Sequence, residues 1–340
     1  MSDLREEFIS TAQDLGFDRV GFTGVAPLSQ AAYYRRWIAE EKHGTMAWMA
    51  SRTEQRTDPS RLHPGAQTII ALSFNYFQDP PPARARIARY ALGSDYHNLI
   101  YKRLKKLCTL LRSHGGEQKP YVDTGPILEK PLAALAGLGW QGKHTVLIDR
   151  KAGSYFFIGI ILTTLRFDPD PPEPERCGKC QKCIDICPTK AITAPFQLDA
   201  RRCIAYLTIE HQGPIPMEFR TAIGDHLFGC DDCMEVCPWN HWARQTREAK
   251  FEPRKIPDLA ETLSWDQETF QSFFQGSPVR RLGLERWLRN VCVVLGNIGT
   301  QSDLPALEAV LCGSGPLVAE HASWALDQIR ARMIPRIDRA

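Results

Sequence analysis

The run Cys177-x2-Cys180-x2-Cys183-x3-Cys187-Pro188 is the feature that most constrains how this 340-residue chain can fold. A second run, Cys230-x2-Cys233-x3-Cys237-Pro238, repeats it without its first cysteine. The first run has the bacterial ferredoxin spacing in full. In that pattern three closely spaced thiolates hold one cubane cluster, and the cysteine before proline serves the other. Two [4Fe–4S] clusters are therefore expected, and with them single-electron transfer. Eight cysteines make two sets of four if Cys203 stands in for the missing one. The expected sets are Cys177, Cys180, Cys183 and Cys237, then Cys187, Cys203, Cys230 and Cys233. Zinc also takes four thiolates, but its structural sites use separated Cys-x2-Cys pairs. The remaining cysteines, Cys108, Cys292 and Cys312, lie in apolar helical settings and read as packed core thiols.

Thiolates on metal point to a reducing compartment rather than a disulfide framework. The N-terminal Met1-Ser-Asp-Leu-Arg-Glu-Glu lacks the apolar stretch of a secretory signal. The longest apolar run, 155–165, is too short to cross a bilayer and reads as a buried strand. A cytoplasmic location without a membrane partner is expected. The net charge of +3 is too small to argue for nucleic acid, so any basic face must be local.

Three regions are expected: 1–170 as an α/β catalytic domain, 171–245 as a ferredoxin-like domain, and 246–340 as an α-helical region. Helical spacing covers 4–15, 30–41, 98–113 and 132–136. Strands are expected at 19–23, 66–74, 86–91 and 120–123. Segments 145–148 and 155–162 read as a hairpin across 149–153. Such alternation favours a sheet covered by helices. The proline-rich, acidic stretch 168–174 reads as a linker. Helices are expected at 287–298, 304–311 and 317–329. Segments 289–298 and 320–329 share a polar and apolar pattern 31 residues apart, the signature of a HEAT-type repeat. A plain helical cap is the other reading.

Two upstream segments are dense in special residues: Tyr121-Val-Asp123-Thr-Gly-Pro-Ile-Leu-Glu129-Lys-Pro131 and Gly137-Leu-Gly-Trp-Gln-Gly-Lys143-His144-Thr145. The second nearly matches a phosphate loop. His144 replaces the hydroxyl needed for magnesium, and the helix precedes rather than follows, so nucleotide binding is rejected. The single Asp-Thr-Gly excludes an aspartic protease, which needs two.

Together with both cysteine runs, Asp199-Ala-Arg-Arg-Cys-Ile-Ala-Tyr-Leu-Thr-Ile-Glu210, Phe228-Gly-Cys-Asp-Asp-Cys233 and Cys237-Pro-Trp-Asn240, these segments closely resemble the epoxyqueuosine reductase family. The resemblance implies an α/β cobalamin-binding reductase domain, related to that of reductive dehalogenases. A ferredoxin-like two-cluster domain and a C-terminal α-helical HEAT-like repeat would follow it. It implies reduction of epoxyqueuosine to queuosine at the tRNA wobble position, the final step of queuosine biosynthesis. Cobalt reduced to Co(I) through the clusters would carry the electrons. The family's proton donor maps onto Asp123, whose pKa burial beside the corrin would raise. Its ordinary role would be to cap a turn before Gly125-Pro126.

Cobalamin contacts implied by matching segments are Arg56, Tyr96, His97, Asp123, Lys143, His144, Thr145 and Ser154. The ordinary readings are solvated surface for Arg56, Lys143 and Ser154, packing for Tyr96, and satisfied hydrogen bonding for His97 and His144. Met46, Trp48 and Met49 are candidate cavity walls. Asp95-Tyr-His97 begins an Asp-x-His-x-x-Gly cobalamin motif, but Ile100 occupies the glycine position, so no histidine ligand to cobalt is expected. For tRNA, local basic faces are needed; the candidates are Arg280, Arg281, Arg286, Arg289, Arg330, Arg332 and Arg336. An external donor of flavodoxin or ferredoxin type and a monomeric state are expected. The rival readings are a reductive dehalogenase acting on a small molecule and a ferredoxin-type carrier. The first lacks its twin-arginine signal, and the second leaves the upstream segments without a role.

Overall fold

The computed structural model describes residues 2–334. Its centre is a four-stranded sheet: β1 (Arg19–Gly24), β2 (Thr68–Asn75), β3 (Gln118–Tyr121) and β4 (Phe156–Thr163). The spatial order is β1-β2-β4-β3, and every neighbouring pair is antiparallel. Helices α1 (Ser2–Asp14), α2 (Ala31–Ala39), α3 (Tyr96–Ser113) and α4 (Glu129–Leu135) surround it.

β2 is buried along all but its last residue because both faces of the sheet are covered. Successive side chains alternate, so Ile70, Leu72 and Phe74 join one core and Ile69 and Ala71 the other. On the first side they meet Leu4 and Phe8 of α1 and Ile100, Leu104, Leu107 and Leu111 of α3, which recur at helical spacing. On the second side they meet Leu132 and Ala133 of α4. The end of α4 comes so near β1 that a Cβ on Gly21 would lie 2.0 Å from the Ala136 carbonyl oxygen. Glycine at 21 is what allows the segment after β3 to sit against the sheet.

Two expectations fail here. Residues 145–148 and 155–162 do not form a hairpin. Leu147–Ile148 pairs with Trp140–Gln141 in a separate ribbon, while β4 lies between β2 and β3. Only a single bridge links Asp149 and Gly153. The Asp149 carboxylate accepts the N–H groups of Lys151 and Ala152 and pairs with Arg19, which closes the turn locally. The two arms then leave for different sheets. The strand expected at 86–91 is only Arg86–Ile87 and then becomes a tight turn at Arg89–Ala91. Pairing stops where the Arg89 N–H donates to the Asp231 carboxylate instead of a neighbouring strand.

Residues 168–174 carry no regular structure. Beyond them, the short helices Lys182–Ile186 and Asp232–Glu235 pack together and bring the two cysteine runs side by side. The chain ends in α5 (Leu284–Ile298), α6 (Leu304–Gly313) and α7 (Pro316–Met333), with α7 packed on both others. Their core, with Val291, Leu295, Ala322 and Ile329, is continuous with Ile204, Leu207, Phe219 and Leu227. One apolar core therefore runs across position 246. Cys108 and Cys292 are buried, whereas Cys312 is exposed. It falls off the narrow face on which α6 buries Leu307 and Val310. Among the described residues, no helix is long and apolar enough to cross a membrane.

Arg289 corrects a further expectation. It is wholly buried, and its guanidinium donates to the carbonyls of His211 (2.7 Å), Gly213 (2.8 Å) and Leu207 (2.9 Å). Burial lowers its pKa to about 9. It cannot meet a phosphate; it ties α5 to the 204–213 segment. Arg336 lies outside the described residues. Arg289→Ala orphans one buried and two partly buried carbonyls and is expected to cost on the order of 3 kcal/mol. A lower thermal midpoint with unchanged nucleic-acid affinity of the folded protein checks this.

Candidate active site

A cavity of about 730 Å³ opens between α2, the 46–56 segment, residues 123–131 and the 192–200 ribbon. That size suits a substantial small molecule. Its edges are pinned by long-range hydrogen bonds. The Trp37 indole N–H donates to the Leu198 carbonyl (2.6 Å), the Ala200 N–H to the Lys42 carbonyl (2.9 Å), and the Phe196 N–H to the Lys143 carbonyl (3.0 Å). Tyr33, Tyr34, Trp37, Trp48 and Phe196 give it aromatic walls, with Met46 and Met49 beside them.

Arg56 also lines the cavity. Its buried guanidinium donates to the carbonyls of Trp48 (3.1 Å) and Gly125 (3.3 Å), bracing the loop that follows Asp123. Among the described residues it has no carboxylate partner within salt-bridge distance. Burial lowers its pKa, so the cavity holds an uncompensated cation.

Asp123 sits just after β3 with a left-handed backbone, φ 56°. Its N–H donates to Glu129 Oε1 (2.6 Å). Its carboxylate faces the cavity and meets His97 Nε2 at 3.0 Å. The Tyr96 hydroxyl lies near enough to the same carboxylate to help lower its pKa. His97 lies in the first turn of α3, where Asp95 caps the helix by accepting the His97 N–H at 3.0 Å and lies 2.6 Å from its Nδ1. Arg281 donates to Asp95 Oδ2 (2.9 Å), and its Nη1 stands 3.1 Å from His97 Nε2. Tyr96 is buried, stacked on Phe157 with ring centroids 3.9 Å apart. Thr145, also at positive φ, lines the cavity.

Lys143, His144 and Ser154 turn elsewhere. All three are buried rather than solvated. Lys143 Nζ donates to the carbonyls of Gly178 (2.6 Å) and Cys180 (2.8 Å), holding the first cysteine loop. His144 accepts the Val146 N–H at Nδ1 (3.1 Å), and its Nε2 has no partner among the described residues. The Ser154 N–H donates to Asn240 Oδ1 (2.6 Å) in the Cys237-Pro-Trp-Asn240 turn. Gly153 makes this approach possible, since a Cβ there would lie 2.1 Å from that oxygen.

Cys177, Cys180, Cys183 and Cys237 surround a second cavity of about 250 Å³, which His144 and Lys143 also line. Burial, then the neighbouring thiols of Cys177 and Cys237, push Cys183 up to about 11. In the other set, burial and then charge at Asp232, Cys203 and Cys233 raise Cys230, and Cys203 and Cys187 both act on Cys233. The two sets are therefore separate and adjacent. Lys130 joins them to the first cavity: it lines that cavity and lies within electrostatic reach of Cys203 and Cys233.

Residues 176–240 match the family described as "4Fe-4S double cluster binding domain", and residues 56–124 match "Epoxyqueuosine reductase QueG, DUF1730". Over 96% of each chain, this one is 46% identical to an epoxyqueuosine reductase of Xanthomonas campestris. It is 42% identical to that of Escherichia coli, over 96% of this chain and 90% of the relative.

The chain belongs to the epoxyqueuosine reductase family.

The structural neighbours agree. A crystal structure of epoxyqueuosine reductase with an epoxyqueuosine-modified tRNA-Tyr stem loop has a TM-score of 0.89 at 32% identity, covering 96% of this chain and 90% of that one. An epoxyqueuosine reductase from Streptococcus thermophilus has a TM-score of 0.88 at 27% identity, with the same coverage. One from Bacillus subtilis, at 0.88 and 31%, covers 96% and 91% and has its catalytic aspartate loop swung out of the active site.

Within this reductase fold, the electrostatics reverse one expectation. Desolvation pushes Asp123 up, but His97, then Tyr96 and Arg281, outweigh it and hold the carboxyl below the usual aspartate range. Desolvation in turn opposes a charged His97, yet Asp123 and Asp95 raise its pKa. Each partner thus favours the charged form of the other, a carboxylate facing an imidazolium. Glu129 is the group that keeps its proton: burial and then the Asp123 charge raise it to about 8.

Sequence reasoning did not single out Glu129, Lys130 or the Asp95–Arg281 link. The available signal was an acid opening the helix that follows the Asp123 turn. It also missed His226, whose Nε2 lies 3.3 Å from Cys230 Sγ and 3.0 Å from Asp232.

Glu129 binds its proton up to about 8 in the folded protein, against 4.5 for an ordinary glutamate. The folded state therefore holds more protons across that window, and stability falls as pH rises through it. Glu129→Gln is expected to remove this component from a series of melting curves taken across that range.

Proposed function

We propose that this chain reduces epoxyqueuosine in tRNA to queuosine, with electrons entering through two [4Fe–4S] clusters and a proton delivered by Asp123. One observation carries the reading: a single cavity has an acid on its floor and, beside it, a lysine within reach of the second cysteine set. Proton and electron arrive at the same place. Cys177, Cys180, Cys183 and Cys237 would hold one cluster, and Cys187, Cys203, Cys230 and Cys233 the other. The unpartnered His144 Nε2, with its ring lining the first cysteine cavity, suits a cluster sulfur.

The large cavity fits cobalamin. Aromatic walls suit an apolar corrin, and the unpaired Arg56 cation suits an anionic phosphate. Arg56 and Thr145 would contact it from the wall, and Tyr96 and His97 from beside Asp123. Lys143, His144 and Ser154 would hold the layer between it and the clusters. Cobalamin would supply a strongly reducing cobalt centre for the epoxide. This chain's own residues supply the proton and its path. As the epoxide oxygen gains negative charge, the proton shared between His97 and Asp123 passes through the Asp123 carboxyl to it. Asp95 holds the imidazole in position throughout.

Helices α5–α7 would act as a HEAT-like platform for the tRNA stem loop, giving the chain a functional division at 1–170, 171–245 and 246–340. Exposed Arg280 and Arg330 are its available cations, already lightly engaged by Gln271 and Glu308. Arg332 is engaged by the Gly296 and Gly299 carbonyls, and Arg286 by those of Leu282, Ile209 and Arg281.

Reduced holoenzyme incubated with epoxyqueuosine tRNA should yield queuosine by nucleoside mass analysis; an unchanged nucleoside would refute the reading. Asp123→Asn should retain cluster and cobalamin absorption while losing turnover. Cys203→Ala should lower iron from about eight to about four per chain, measured on anaerobically prepared protein.

A further inference from the structure

Removing an epoxide oxygen as water breaks two C–O bonds and forms one carbon–carbon double bond. It consumes two electrons and two protons. The electrons come through the clusters from an external one-electron donor. The His97–Asp123 pair holds one transferable proton and must then be recharged. The cavity lining holds one other carboxyl group among the described residues, Glu129.

We propose that Glu129 supplies the second proton, passing it to Asp123 after the His97–Asp123 pair has given up its own; this rests on the proton-donor reading of Asp123. The two residues close one short loop between β3 and α4. Glu129 Oε1 accepts the Asp123 N–H at 2.6 Å, and no other protein hydrogen bond holds its carboxyl among the described residues. A carboxylic acid bound this way uses its carbonyl oxygen as the acceptor and leaves its hydroxyl free. The same contact fixes its distance from the group it would recharge.

The surrounding charges agree. Asp123 faces Glu129 from the loop, Lys130 from α4, His97 and the Tyr96 hydroxyl from α3, and Arg56 from the 53–57 turn. Burial and the Asp123 carboxylate favour the protonated acid; Lys130 and His97 oppose it without prevailing. The acid is therefore loaded at neutral pH, while Asp123, held by His97, is ionised.

Glu129→Gln separates this role from simple anchoring. Glutamine keeps a carbonyl oxygen for the Asp123 N–H but has no proton to give. In single turnovers of the pre-reduced holoenzyme with epoxyqueuosine tRNA, the wild-type rate should fall as pH rises through about 8. Glu129→Gln should be slower by on the order of a hundredfold and lose that alkaline limb, with cluster and cobalamin spectra unchanged. Glu129→Asp, which restores an acid, should recover part of the rate and the limb. A wild-type rate and limb in Glu129→Gln would overturn the proposal and leave Glu129 as the loop's anchor.

An infrared titration needs no turnover. Wild type should show a carboxylic acid band that disappears as pH passes through about 8, and Glu129→Gln should lack it. Absence of that band from the wild type would also overturn the proposal. Asp123→Asn, run in parallel, tests the reading beneath it. Full turnover there removes Asp123 as donor, whatever Glu129→Gln shows.

Discussion

Buried thiols close together resist ionisation. Desolvation and neighbouring thiols push Cys183, Cys230 and Cys233 above the ordinary cysteine range. Metal charge reverses this, because a coordinated thiol loses its proton outright. The turns that carry them rest on two short helices, Lys182–Ile186 and Asp232–Glu235, and a small ribbon, while only residues 200–228 between the runs join the large apolar core. Lys143 helps by donating to the carbonyls of Gly178 and Cys180 instead of pairing with a carboxylate. Cluster binding and the local fold of this region are thus one equilibrium. The cavity inherits that dependence, since the 192–200 ribbon forms one of its walls.

The proton side is built on the opposite principle. Its charges are paired before any ligand arrives. Asp95, His97, Asp123 and Arg281 form one network whose members come from the start of α3, the loop after β3 and the turn before α5. Two carboxylates around one imidazole raise the pKa of His97 despite desolvation. Arg281 also makes the C-terminal region a physical neighbour of the acid. The helical end is therefore bound into the site's charge network as well as into the shared apolar core behind it.

How much of this was legible depended on the range of the interaction. Cysteine spacing is local chemistry, and the run reported both the double-cluster segment and its sets of thiols. The buried β4 was visible within the apolar run at 155–165. The pairing of β4 was not, because an apolar segment does not encode its partner; the local closure by Asp149 sends the two arms to different sheets. Arg289 looked like a surface cation because sequence does not show that three carbonyls wait for it in the core. For Asp123 burial was expected, but more than half of its side chain is exposed at the cavity, and its pKa moves down rather than up. Its partners His97 and Arg281 lie far away in sequence, and they outweigh the desolvation that the motif suggested.

That reversal bears on how an acid can work here. A left-handed backbone at a non-glycine residue costs about 1–2 kcal/mol. Asp123 adopts it with Glu129 as acceptor for its N–H and His97 as partner for its carboxylate. A carboxyl accepts an N–H more strongly when ionised than when protonated. Glu129 therefore grips the loop least while it keeps its proton and more tightly once the proton has gone. The bond that positions Asp123 is for this reason sensitive to the protonation of its partner. Loop geometry and proton inventory at the cavity floor are two aspects of one contact.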